Sequence, residues 1–213
     1  MSSAVDPLLV LVLMSNFLLL GTTRLRSAIN ASAMQGVLLG LLTVFVHPEL
    51  SMRAITVGAI AIAIKALLIP QMLHRALREA AIRREIEPYI SYVTSLILGA
   101  VATGAAVLFA DRLPLAPEHQ GLLLVPASLA TVLTGFLILT TRRKAITQVV
   151  GYLVLENGIF IMGLTLHEAM PSLVEVGVLL DLLVAIFVIG IVINHISREF
   201  ASLDVARLDT LKE

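Results

Sequence analysis

The sequence predicts an all-α integral membrane protein of about seven transmembrane helices, with the N-terminus outside and the C-terminus in the cytoplasm. Three observations lead there. First, 58% of the 213 residues are hydrophobic and only 14% are charged, whereas a soluble domain is roughly 45–50% apolar and about 25% charged. With a mean hydropathy of +0.98, the charged side chains are too few to coat this body in water, and a bilayer is the solvent that suits it. Second, seven apolar stretches are long enough to cross about 30 Å of hydrocarbon as helices. Third, Lys and Arg fall on alternate connections. One side carries Arg24, Arg26, Arg75, Arg78, Arg83, Arg84, Arg142, Arg143, Lys144, Arg198, Arg207 and Lys212, and the other only Arg53 and Arg112. The basic side is expected in the cytoplasm.

Taken in order, the spans are expected at 7–23, 28–46, 54–73, 89–110, 121–140, 145–166 and 172–196. No basic residue precedes the first apolar run, which therefore reads as a span and not as a cleaved leader. The first three spans form an N-terminal unit over 1–74. A basic connector over 75–88 continues the third helix, with Arg75, Glu79 and Arg83 spaced one turn apart as i,i+4 pairs. Its Arg78, Arg83 and Arg84, with Arg142 and Arg143 of a later turn on the same side, are candidate docking residues for a partner; anionic lipid is the other use of such a surface. The fourth helix and an outer loop occupy 89–120, a three-helix unit occupies 121–196, and a cytoplasmic tail occupies 197–213. Thr22-Thr23-Arg24 followed by Ala28-Ile29 echoes Thr140-Thr141-Arg142 followed by Ala145-Ile146, a hint of a duplicated plan.

Three ionisable residues lie well inside spans: Lys65, Glu156 and Asp181. Each is expected about 13–18 Å from the nearest interface, at about 1.5 Å per residue. A charge there costs about 2.5–3.5 kcal/mol on an insertion scale. Such groups pair, face a wet cavity or carry protons. Small or polar neighbours one turn away leave room for a partner helix or water: Gly58 and Ala61 beside Lys65, Tyr152 and Gly163 beside Glu156, Gly177 and Ala185 beside Asp181. Two readings stay open, a static pair such as Lys65 with Asp181, and proton or cation handling through a path that includes Tyr152 and Asn157. Asn16, Asn30, Gln35, Gln148 and Asn157 are expected to make interhelical hydrogen bonds, and Pro70 and Pro126 to kink their helices.

Other chemistry is excluded by what the chain lacks. Without cysteine there is no disulfide, thiolate metal site or protein-ligated iron–sulfur cluster. The five histidines, His47, His74, His119, His167 and His195, fall at span ends or in loops, so no haem pair is expected. There is no Gly-rich phosphate loop and no Ser/His/Asp set. A net charge of zero gives no reason to expect nucleic acid. No catalytic residue, metal or cofactor is therefore assigned.

The last three spans carry a resemblance. Arg142-Arg143-Lys144 leads into a helix reading Gly151-Tyr-Leu-Val-Leu-Glu156-Asn157-Gly158, and a further helix carries Asp181 before His195 and Arg198. This resembles the three-helix K subunit of bacterial complex I and the C subunit of Mrp cation/proton antiporters. There an Arg pair precedes a helix with Gly, a buried Glu and Asn, and a third helix holds another buried acid. In that family the glutamate stands two residues after the glycine, where this chain has Leu153; Glu156 comes one turn later on roughly the same face. With four further spans in front, the whole chain resembles component E of hydrogenase-4 and related group 4 hydrogenases of the formate hydrogenlyase type. The resemblance implies a non-catalytic subunit of the bacterial or archaeal inner membrane. Its neighbours would be antiporter-like subunits that move protons or sodium, and a peripheral hydrogenase arm bearing the metal centres near the cytoplasmic connector. Two rival expectations are a subunit of a redox-independent cation/proton antiporter and a purely structural membrane scaffold.

Overall fold

A computed structural model of the chain describes residues 2–46, 52–79, 88–113 and 123–165. Among these residues the fold is all-helical, with one isolated bridge pair, Pro88 and Arg142. The elements are α1 (Ser2–Gly21), α2 (Leu25–Val46), α3 (Met52–Ala61), a π-helical stretch (Ile62–Leu68), α4 (Ile69–Glu79), α5 (Tyr92–Ala110), α6 (Leu124–Thr141) and α7 (Ala145–Thr165). Five of them, α1, α2, α5, α6 and α7, contain stretches long and apolar enough to cross a membrane. These coincide with the first, second, fourth, fifth and sixth expected spans. The expected seventh span with Asp181, the tail, and Arg83 and Arg84 of the connector lie outside the described residues.

The third expected span is helical from Met52 to Glu79, so the helix does run on into the connector, but it is not one α-helix. Its middle widens into π geometry immediately before Pro70. Proline offers no N–H and its ring crowds the carbonyl four residues back, here that of Ala66. A wider turn relieves that crowding without a sharp break. Pro126 behaves differently from the expected kink. It is the third residue of α6, where backbone N–H groups have no intrahelical acceptor to lose, so the helix runs on undisturbed.

Helix ends are closed by a local cap or by groups from elsewhere in the fold. Ser91 caps α5, its hydroxyl accepting from the Thr94 N–H at 3.1 Å. Leu123, which cannot cap α6 itself, donates its N–H to the Asp6 carboxylate of α1 at 3.2 Å. At the opposite end, three-residue turns join α1 to α2 and α6 to α7. The Thr-Thr-Arg echo falls on these two turns but out of step: Arg24 is the last residue of its turn and Arg142 the first of the other.

The buried apolar side chains form two clusters. One gathers Leu19, Leu20, Leu25, Leu73, Leu77, Ile138 and Val150 near the two turns. The other gathers Val5, Leu9, Leu39, Leu42, Leu124 and Ile161 toward the Asp6 end. Between them lies a buried polar layer of Asn16, Gln35, Lys65, Thr131, Glu156 and Asn157. The exterior is apolar: Met14, Val93, Ile97, Val101 and Leu108 are all more than half exposed. Helix α5 turns its small residues Ser95, Gly99, Ala106 and Ala110 inward and its bulk outward, an arrangement suited to lipid on one side and close helix packing on the other.

The most extensive pairing is α6 with α7. It depends on Gly158, where a Cβ would lie 2.5 Å from the Val132 nitrogen and 2.8 Å from the Ser128 carbonyl oxygen. Both obstacles are backbone and cannot swing aside. In an open helix position Gly→Ala would stabilise by about 0.5–1 kcal/mol; here overpacking, about 1–3 kcal/mol, outweighs that gain. Gly158→Ala should therefore lower stability by roughly 1–2 kcal/mol, read as reduced resistance to denaturant in detergent. An unchanged or raised midpoint would contradict this packing.

Candidate functional site

The polar layer is built from residues that five separate elements bring to one depth. Counting from Asp6 to Asn16 along α1, and from Ala145 to Glu156 along α7, places the layer about 15–17 Å from either end of the bundle, at about 1.5 Å per residue. Lys65 leaves the π-helical stretch and points its Nζ at Glu156 of α7, 3.1 Å from Oε1, with both side chains under a tenth exposed. Gly36 of α2 makes the approach possible, since a Cβ there would stand 2.9 Å from the Lys65 Cβ. Phe160, one turn along α7 from Glu156, lays its ring 5.0 Å from the same Nζ, and the face of an aromatic ring attracts a cation.

From Lys65 a chain of hydrogen bonds crosses the bundle. Its Nζ donates to Asn157 Oδ1 at 3.4 Å, and Asn157 Nδ2 donates to Gln35 Oε1 of α2 at 3.3 Å. Gln35 Nε2 donates to Asn16 Oδ1 of α1 at 2.7 Å, and Asn16 Nδ2 to Thr131 Oγ1 of α6 at 2.9 Å. The Thr131 hydroxyl closes the series on the Ala127 carbonyl at 2.7 Å. All these side chains are buried, Gln35 completely. A buried amide left unbonded would cost about 1–3 kcal/mol, which the chain avoids at every link.

The geometry settles where the expected site residues stand. Lys65, Glu156 and Asn157 come together. Asp181, offered as the static partner of Lys65, lies outside the described residues, and the carboxylate that meets Lys65 is Glu156. Tyr152 is half-buried one turn below Glu156 and packs on the cluster near the turns. Of the expected interhelical amides, Asn16, Gln35 and Asn157 join the chain, and Asn30 accepts from His74 Nε2 at 2.9 Å. Gln148 instead donates to the Arg142 carbonyl at 3.1 Å and stays within the α6–α7 turn. Thr131 and Gly36 were not singled out in the sequence, because a threonine and a glycine in an apolar helix carry no signal until the facing helix is known.

The basic end divides as well. Arg78 and Arg143 are exposed, the latter lying 4.7 Å over the Tyr89 ring. Arg142 is only 1% exposed. Its Nη2 donates to the Leu20 carbonyl at the end of α1 at 2.9 Å, and its guanidinium lies 5.2 Å over the Tyr92 ring. The docking role expected for Arg142 gives way to a structural one, because an interior guanidinium that closes the last turn of α1 offers no surface to a partner. Burial lowers its pKa from the ordinary arginine value, with Tyr92 opposing, and an arginine keeps its charge regardless. Tyr89 N–H donates to the Thr141 carbonyl at 2.8 Å, tying the start of α5 to the same turn. His74 is held below the ordinary histidine range, first by burial and then by Arg26 and Arg78. Among the described residues no cluster of three or more His, Asp or Glu side chains could hold a metal.

Comparison with known proteins adds two likenesses. Over 206 residues the chain is 33% identical to the uncharacterized protein Rv0085 of Mycobacterium tuberculosis, covering 95% of this chain and 93% of that protein. Over 101 residues it is also 33% identical to hydrogenase-4 component E of Escherichia coli, covering 47% of this chain and 46% of that protein, and the Shigella flexneri component E matches equally. No protein-family model and no solved structure matches.

A buried pair makes a measurable demand. Removing one partner strands the other charge among apolar side chains and should destabilise by about 3–5 kcal/mol. Lys65→Met and Glu156→Leu, which leave the remaining charge facing an apolar side chain, should each be strongly destabilised, and the double variant should regain much of the loss. That coupling would appear in a double-mutant cycle of thermal or denaturant midpoints. Additive effects would mean that the two side chains do not interact in the folded protein.

Proposed function

The chain belongs to the family of the Mycobacterium tuberculosis protein Rv0085, and on that footing, with its local likeness to hydrogenase-4 component E, we propose that it is a membrane subunit of a hydrogenase-4-like, energy-converting complex. In this reading it carries no catalytic centre and bridges antiporter-like subunits of the same assembly. Its contribution is the Lys65–Glu156 pair, which takes part in moving protons or cations along the membrane arm. The single observation that carries the reading is that pair at the middle of an apolar bundle. A buried ion pair gives little or no net stability over apolar side chains of the same volume, so packing alone does not account for it. Intramembrane ionisable groups mark ion or proton routes.

The rest of the proposal follows the charge pattern. The end bearing Arg24, Arg26, Arg78, Arg143 and Lys144 faces the cytoplasm of a bacterial or archaeal inner membrane, and the N-terminus lies outside. The connector and the exposed Arg78 and Arg143 offer a peripheral arm its docking surface. Asp181, on the expected seventh span, would add a second acid to the route. The rival antiporter reading shares the pair but needs no hydrogenase arm, and the subunits that copurify in mild detergent separate the two.

Glu156→Gln keeps size and hydrogen bonding while removing the titratable group. The complex should assemble, and its ion-coupled activity, followed with a pH-sensitive dye in vesicles, should fall at least tenfold. Normal coupling in an assembled Glu156→Gln complex would remove the pair from the mechanism. For orientation, cysteines replacing Arg78 and Lys144 should react with an impermeant maleimide only from the cytoplasmic face. Reaction of either in intact cells would reverse or break the assigned topology.

A further inference from the structure

The hydrogen bonds from Lys65 to Ala127 all run in one direction. Lys65 only donates, and each side chain after it accepts from behind and donates onward: Lys65 to Asn157, Asn157 to Gln35, Gln35 to Asn16, Asn16 to Thr131, Thr131 to the Ala127 carbonyl. The two ends dictate this sense. An ammonium has only donors and a backbone carbonyl only acceptors, so every amide between them must present its oxygen toward Lys65 and its nitrogen toward α6. The three amides and the hydroxyl therefore align their dipoles along one path, and aligned hydrogen bonds polarise one another.

We propose that Gln35, Asn16 and Thr131 are positioning residues for Lys65, an oriented amide series that stabilises its positive charge and holds Nζ against Glu156 from across the bundle. The proposal rests on reading the Lys65–Glu156 pair as the working centre. A primary amide does not take up or release a proton near neutral pH, so this series polarises without conducting. Lys65 Nζ thus stands between this series and the Glu156 carboxylate. The series also makes Thr131 of α6, four hydrogen bonds from Lys65, part of the site.

The full chain in lipid nanodiscs, with ¹⁵N in its lysine and asparagine side chains, provides the test. The chain has three lysines, Lys65, Lys144 and Lys212, so Lys144→Arg and Lys212→Arg assign the Nζ resonances. Thr131→Val keeps the shape of the side chain and removes its hydroxyl. It should displace the Lys65 Nζ resonance while leaving the other two in place, and Thr131→Ser should return it. Should the valine variant fold poorly, Thr131→Ala is read by the same criterion. In the reverse direction, Lys65→Met should displace the side-chain amide resonance of Asn16. An unmoved Lys65 resonance in folded Thr131→Val or Thr131→Ala, or an unmoved Asn16 amide in Lys65→Met, overturns the proposal. The readout needs no partner subunit and no ion flux. Loss of coupling in Glu156→Gln with an unmoved Lys65 resonance would thus sink the amide series alone, and the opposite pattern would sink the translocation reading.

Discussion

Putting an ammonium and a carboxylate at the centre of an apolar bundle is the constraint from which the rest of the architecture follows. At about 2.5–3.5 kcal/mol per isolated charge on an insertion scale, neither Lys65 nor Glu156 can stand there alone, so they must meet. Meeting requires the backbone around Lys65 to come close to α2, hence Gly36. It also requires the remaining polar atoms nearby to be bonded, hence the amides contributed by α1, α2 and α7. The apolar core is split into two clusters because this layer occupies the space between them. A bundle held only by leucine would be simpler and at least as stable; this one is organised around an interaction whose value is specific rather than stabilising.

The same economy shows at the ends. Each helical hairpin relies on a charged side chain from another element to close what its own backbone leaves open. Asp6 takes the N–H that Leu123 cannot satisfy at one end. Arg142 takes the carbonyl that α1 leaves at the other. In hydrocarbon or at its edge, where water is scarce, such closures matter more than the helix propensities of the residues concerned. Both bonds join α1 to α6 or its flanks, which locks together two helices far apart in the chain and holds Asn16 facing Thr131.

Helix identity, the approximate ends of five helices and the depth of Lys65 and Glu156 were legible from hydropathy and charge, because the bilayer imposes one length and one solvent on every span. Partner choice was not legible. The sequence pointed to Asp181 as a static partner for Lys65, and the carboxylate that meets it is Glu156, since rotation about a helix axis is decided by packing. The π-helical widening changed the rotation of Lys65 itself, and hydropathy is blind to it; Pro70 was the available signal, but it reads equally well as a kink. Arg142 was misplaced at the surface for a related reason. Charge counting assigns a residue to a side of the membrane and says nothing about whether it turns inward. Thr131 carried no signal at all until α1 was set against it.

The π-helical stretch makes chain length a variable in its own right. A π turn holds one more residue than an α turn, so residues 52–61 and 69–79 are joined with one residue in surplus over a regular helix. Deleting a residue there would let the stretch relax to α geometry with both flanks keeping nearly their present faces. Leu73 and Leu77 would stay in their cluster, while the side chains inside the stretch, Lys65 among them, would turn, with no change in the chemistry of any of them. Spacing in this segment is thus as informative as composition, and a chain that matched every polar residue but was one residue shorter here would have a different centre.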